Sequence, residues 1–149
     1  MVISTLNTGR VLEIIRLLES YLIELKPFSA ISKEEFLADR KNPPFVESYL
    51  RRSLEAVFDI GRHILAKSYG FKGIDYKTIA KALGERGIIT EDLSLVLVKM
   101  AGYRNRMVHF YKEVNNEELY AILKSNLNDF DRFTQQIVSF LKAYEKQIQ

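Results

Sequence analysis

The 149-residue chain contains no cysteine. That single absence removes disulfide frameworks, thiolate zinc sites and cysteine nucleophiles, and it fits a reducing compartment, so a cytoplasmic location is expected. Histidine occurs only twice, as His63 and His109. Neither lies in a compact carboxylate–histidine arrangement such as Glu-x-x-His, so no metal site and no cofactor are expected. Proline occurs three times and glycine seven, which leaves few helix breakers among abundant Leu, Lys, Glu and Ala. No run approaches the roughly 18 uncharged apolar residues of a membrane span. The opening MVISTLNTGRVLEIIR lacks a basic region followed by an apolar core, so neither a membrane anchor nor a secretory signal is expected. The net charge of +3 is a mild basic bias that by itself does not argue for nucleic-acid binding.

What is present is globular composition, 47% hydrophobic and 28% charged, over a length that suits one domain across residues 1–149 with a real core. No internal repeat or low-complexity linker interrupts it. Helical spacing of Val11, Ile14, Ile15, Leu18, Leu22 and Leu25 predicts a first helix from about Thr8 to Lys26, ended by Pro27. Ser32 with Glu35 forms a capping-box pattern that opens a short turn through Leu37. A long helix over about Phe45 to Tyr69 follows Pro43 and Pro44 and is stopped by Gly70 and Gly73. Asp75 caps a short helix from Tyr76 to about Leu83, ended by Gly84 and Gly87. Thr90, with Glu91 and Asp92 at the positive end of the dipole, opens another helix, and Asn115 with Glu118 starts a last one reaching about Lys146. The expected fold is all-α: an antiparallel four-helix bundle with one short accessory helix.

The helix that opens at Thr90 carries RNRMVHFY, residues 104–111, where charge interrupts an otherwise apolar segment. Leu93, Val96, Met100, Tyr103, Met107 and Phe110 form one stripe; Leu97, Ala101, Arg104, Val108 and Tyr111 form a second beside it. An ordinary surface helix has one apolar stripe and one polar face. Two stripes predict packing against its own bundle and also against another surface, most simply the same helix of a second chain in a two-fold homodimer. The alternative is a central helix wrapped by its own neighbours. An arginine between Ala101 and Val108 is partly desolvated, and its fork of donors suits phosphate. On a continuous helix His109 is rotated by roughly 140° from Arg104, so the two do not pair tightly within one chain. Across two crossing helices, each histidine can approach the other chain's arginine.

RNA cleavage by attack of the ribose 2′-hydroxyl needs a base, an acid and a cation to steady charge on the phosphate. Histidine suits proton transfer near neutral pH and arginine suits the anion, and a symmetric dimer would supply two of each without a metal. The opposing possibility is structural: charged clusters often only satisfy carbonyls or face solvent.

The segment RNRMVH resembles the pattern of arginine, a polar residue, three further residues and histidine that marks HEPN-domain ribonucleases. Extended to Tyr111 it looks like the HepT-like toxin branch, and MAGYRNRMVHFYKEV, SLEAVFDIGRHIL and NNEELYAILKSNLNDF are similar to that branch's corresponding segments. The resemblance runs from about Phe45 onward. It implies a HEPN-like bundle that dimerises with both motifs at one groove, and metal-independent endoribonuclease activity on mRNA or tRNA. By the same resemblance Arg104 and His109 are catalytic and Asn105 shapes the site. The implied partner is a minimal nucleotidyltransferase antitoxin that transfers AMP to Tyr111, placing a bulky phosphodiester beside Arg104.

Asp59 matches an acidic position of the related helix and is a further supporting candidate, although charges at helical spacing also form solvated ion-pair faces. His63 is expected at the surface. Lys99, Arg106 and Lys112 flank the motif and are candidates for guiding an RNA backbone, with solubility as their plainer role. Tyr103 and Phe110 are expected in the core rather than stacked on bases. Beside the ribonuclease stand two other readings: a non-catalytic HEPN module that binds RNA, a nucleotide or a partner protein, and a purely structural helical dimer.

Overall fold

The computed structural model describes residues 6–109 and 114–148. Among these residues six helices follow one another: α1 (Thr8–Ser29), α2 (Lys33–Ala38), α3 (Asn42–Tyr69), α4 (Tyr76–Glu85), α5 (Glu91–Val108) and α6 (Asn116–Ile148). There is no strand among the described residues. Local capping chemistry accounts for most of the boundaries. The Asn7 side chain accepts from the Arg10 N–H, Ser32 from Glu35, Asp75 from Thr78 and Asn115 from Glu118, each filling one of the donors that a helix start leaves open. Gly70 ends α3 in the left-handed region at φ 72°, which glycine adopts without steric cost.

Some boundaries differ from the sequence-based expectation. Pro27 lies inside α1 rather than ending it, because a proline in the last turn forfeits only one backbone donor while its own carbonyl still accepts from Ala30. Pro43 and Pro44 sit inside the first turn of α3, where their missing N–H groups would have had no helical partner. α4 runs on through Gly84, and both it and α2 are true short helices, so the accessory helices number two. α5 stops at Val108, and His109 is its extended C-cap, so Arg104 and His109 do not lie on one continuous helix.

The core is one cluster drawn from all six helices, including Leu18, Leu22, Phe36, Phe58, Leu65, Leu97, Phe130 and Phe133. α1 lies against α3 and α6, and α4 fills the space between α3 and α5. The crossings of α4 are close. A Cβ added at Gly84 would come within 2.6 Å of the Ser94 side chain, and one at Gly61 within 2.7 Å of Ile79. Ser94 reinforces the first crossing by donating its hydroxyl to the Ala80 carbonyl at 2.7 Å.

This packing changes the meaning of the two apolar stripes on α5. Leu97 and Ala101, from the second stripe, are fully buried within the single chain, on a helix that packs closely against α4. Part of the second stripe is therefore covered from inside, and doubled apolarity alone does not require a partner. The large apolar side chains left exposed on α5 are Leu95 and Val108.

α6 fastens α5 at both ends. At the start, the Gln136 side chain accepts from the Thr90 N–H at 2.8 Å and donates to its hydroxyl, while Arg132 engages Asp92. At the other end Arg106 meets Glu118. No helix among the described residues is long and apolar enough to cross a membrane.

Candidate active site at the end of α5

Arg104 lies in the last two turns of α5, half-buried, on the side that faces α4. Its guanidinium carbon is 4.4 Å from the centre of the Tyr76 ring, at the first residue of α4. Its Nε is buried and has no hydrogen-bond partner among the described residues. Such a donor costs about 1–3 kcal/mol when left unmade, so its retention calls for an explanation beyond packing. Tyr76 is stacked on the buried Phe58 ring of α3 with centroids 4.8 Å apart and an interplanar angle of 13°. Arg62, also on α3, reaches the same Tyr76 ring at 5.3 Å.

Arg106 stands two residues further along and behaves differently. It donates to both carboxylate oxygens of Glu118, at 2.5 and 2.7 Å, so its fork is filled from within the protein. The pairing holds the Glu118 carboxyl below its ordinary range and raises the Arg106 guanidinium above its own. A cation so engaged is a weaker handle for RNA than its sequence position implies. Lys99 is exposed and Asn105 is half-buried in the same helix. A groove of about 500 Å³ runs beside Arg106, Met107 and Val114, but the wall that Arg104 shares with Tyr76 is a different one.

His109 is exposed and leaves the helix with φ −104° and ψ 95°, its N–H bonded to the Arg106 carbonyl. The 140° rotation of an ideal helix therefore does not apply to it, because its direction is set by an extended residue. Tyr111 and Lys112, the expected modification and RNA-binding residues, lie outside the described residues, as does Phe110. Tyr103 packs against the core, as its spacing implied.

Asp59 projects from α3 and pairs loosely with Arg62 at 3.8 Å, its side chain 57% exposed. Burial of its surroundings raises the carboxyl above the usual range; Arg62 opposes this, as do Arg10 and Arg104 more weakly. Asp59 thus belongs to the same electrostatic neighbourhood as Arg104. His63, one turn further along α3, is half-buried, and its Nε2 has no partner among the described residues, so the surface position expected for it is corrected. Burial, then Lys67 and Arg10, push its pKa down, which favours a neutral imidazole. Among the described residues no group of three or more metal-ligating side chains gathers.

The structure thus brings together Arg104, Tyr76, Arg62 and Asp59 from three helices. Sequence reasoning missed Tyr76 and Glu118. The available signals were an aromatic directly after the Asp75 cap and an acid in the first turn of α6, and neither reveals a contact with another helix.

The profile of the family described as HepT-like ribonucleases matches residues 11–137. A tRNA nuclease HepT from Aphanizomenon flos-aquae is 28% identical over 133 residues, covering 89% of this chain and 90% of that protein. An mRNA nuclease HepT from Shewanella oneidensis is 33% identical over 84 residues, covering 56% of this chain and 63% of that protein. Among solved structures, a tri-AMPylated Shewanella oneidensis HEPN toxin in complex with an MNT antitoxin superposes with a TM-score of 0.77 at 26% identity. That match covers 87% of this chain and 96% of the toxin. By its matched span, its all-helical fold and its Arg104–His109 motif, the chain belongs to the HepT-like ribonuclease family.

Proposed function

We propose that the chain is the toxin of a toxin–antitoxin pair and cleaves RNA without a metal, using Arg104 and His109 in a groove between two copies. The observation that carries this reading is the state of Arg104. Its guanidinium is held on an aromatic ring, with a buried Nε that no acceptor among the described residues meets. A cation kept in a partly desolvated place without a carboxylate is suited to an anion that comes and goes, and RNA phosphate is such an anion.

The chemistry follows from the two side chains. One imidazole takes the proton of a ribose 2′-hydroxyl, whose oxygen then bonds to the neighbouring phosphorus. The bond from phosphorus to the 5′-oxygen of the next nucleotide breaks, and a second imidazole, protonated, gives that oxygen a proton. Arg104 stabilises the charge gathering on the non-bridging oxygens. One chain offers a single His109, and two-fold pairing supplies the other, which is why the dimer belongs to this proposal. Asp59 supports the site through its field at Arg104, and Asn105 shapes it. Exposed Lys99 steers the RNA backbone, and Lys112 has the same role by its place in the motif.

The antitoxin is a minimal nucleotidyltransferase that adds AMP to Tyr111. The HEPN toxin matched in structure is AMPylated and bound to an MNT antitoxin, and Tyr111 stands two residues after His109. A phosphodiester there would occupy the anion position served by Arg104. The relatives act on tRNA and on mRNA, and single-stranded or tRNA segments are the proposed substrate here.

The test is cleavage of tRNA and mRNA by purified protein in EDTA. Wild-type protein should cut, and Arg104→Ala and His109→Ala should each lose at least about 100-fold in rate, the scale of one acid–base or charge-stabilising group. RNA binding without cleavage at any protein concentration would favour the non-catalytic HEPN module instead.

A further inference from the structure

The two arginines at the end of α5 are held in opposite ways. Arg106 spends its donor fork on the Glu118 carboxylate, which neutralises its charge locally. Arg104 is met by no carboxylate or carbonyl among the described residues and lies instead over the Tyr76 ring. The difference matters chemically. A carboxylate partner competes with phosphate for the same N–H groups, whereas an aromatic face attracts the cation through its quadrupole and takes none of the donors at the guanidinium edge.

Tyr76 is also a fixed platform. It is the first residue of α4, where the Asp75 side chain accepts from the Thr78 N–H at 2.8 Å and sets the start of the helix. Behind the ring stands Phe58, fully buried in α3 and nearly parallel to it. α4 itself is seated tightly, with Gly61 under Ile79 and Gly84 against Ser94. Arg62 shares the ring at 5.3 Å and is drawn toward Asp59, so the second cation near the platform has a partner of its own.

We propose that Tyr76 is a positioning residue for RNA cleavage: its ring face, backed by Phe58, holds the Arg104 guanidinium with its outer donors open to the phosphate. This rests on the assignment of Arg104 to phosphate stabilisation. Tyr76 itself touches no reacting atom, and its hydroxyl has no part in the scheme. A long arginine side chain without the platform samples many rotamers, and misplacement of a catalytic group by about 1 Å costs on the order of 100-fold in rate.

The experiment is single-turnover RNA cleavage, with RNA affinity and thermal midpoint measured in parallel, for the full chain carrying Tyr76→Phe, Tyr76→Leu, Arg104→Ala and the double variant Tyr76→Leu/Arg104→Ala. Tyr76→Leu should cleave about 10- to 100-fold more slowly with RNA affinity nearly unchanged, and the double variant should be no slower than Arg104→Ala alone. Tyr76→Phe, which keeps the ring, should restore the rate to within about threefold of wild type. Wild-type cleavage by Tyr76→Leu beside an inactive Arg104→Ala would overturn the positioning role while leaving the Arg104 assignment intact, and so would losses that add in the double variant. A Tyr76→Phe protein as slow as Tyr76→Leu would likewise overturn it, by assigning the effect to the hydroxyl. Wild-type cleavage by Arg104→Ala would instead remove the Arg104 assignment itself. Should Tyr76→Leu not fold, phenylalanine and its mono-, di- and trifluoro analogues at position 76 decide the matter, since fluorine drains the ring face with little change in shape. A rate that falls stepwise with fluorination supports the platform, and a flat series refutes it.

Discussion

The guanidinium of Arg106 and the carboxylate of Glu118 meet through two hydrogen bonds, at 2.5 and 2.7 Å, and tie the last turn of α5 to the first turn of α6. The pair is about one-third exposed on each side, so its net contribution is modest, about 0.5–1 kcal/mol. Its positional effect is larger than its energy, because the N–H of His109 bonds back to the carbonyl of Arg106. Glu118→Gln should therefore lower the urea midpoint slightly while slowing cleavage several-fold. Cleavage unaffected by Glu118→Gln would mean that the direction of His109 is set without the clamp.

Acid should destabilise the protein in two stages. His63 has a folded-state pKa below its ordinary 6.5, with burial as the main cause. The unfolded chain therefore binds the proton more readily, and stability falls as pH drops below about 6.5 until the folded imidazole also titrates. Glu118 is depressed from 4.5 by Arg106, so its contribution is present above that value and disappears as pH falls toward the lower folded pKa. Asp59, raised by burial, works weakly in the opposite direction. Thermal midpoints from pH 7.5 down to about 2.5 should show both stages, and His63→Gln should flatten only the upper one. An unchanged upper stage in His63→Gln would assign that stage to another group.

The spacing of α4 and α5 admits no side chain at Gly84, where a Cβ would lie 2.6 Å from Ser94. Gly84→Ala should cost about 1–3 kcal/mol by overpacking. It should also slow cleavage, because α4 carries the Tyr76 ring on which Arg104 rests. Denaturant midpoints equal to wild type would show that the crossing relaxes more easily than its tightness implies.

Much of this fold is legible in the chain itself, because helix starts are local chemistry. Asp75 before Thr78, Ser32 before Glu35 and Asn115 before Glu118 each place a side-chain acceptor where three residues of sequence reveal it. The inward faces of α1 and α6 are equally visible, and Val11, Leu18, Leu123 and Phe130 are all buried. Legibility fails where the outcome depends on a neighbouring helix. The second stripe of α5 looks like a surface awaiting a partner, and Leu97 and Ala101 are in fact buried within the chain. Gly84 looks like a terminator and is instead the contact point of a crossing. The motif arginine is visible in RNRMVH, but the aromatic platform beneath it is not, since periodicity says nothing of which ring lies over which cation.

Modification by the proposed antitoxin is checked by intact mass. Co-expression with a minimal nucleotidyltransferase antitoxin should add one or more AMP units to the wild-type chain and none to Tyr111→Phe, with cleavage lost only where the adduct forms. Equal adducts on Tyr111→Phe would move the modification to another residue.

The most direct measurement of the composite site mixes active with inactive protein. Wild-type and His109→Ala chains, allowed to exchange subunits in equal amounts, leave about a quarter of the dimers with two intact imidazoles, by random pairing. A groove that needs both imidazoles predicts RNA cleavage at about a quarter of the rate of the same total amount of wild-type chain. A mixture in which mixed dimers demonstrably form, yet cleavage holds at about half that rate, as it would if each wild-type copy acted alone, would contradict it.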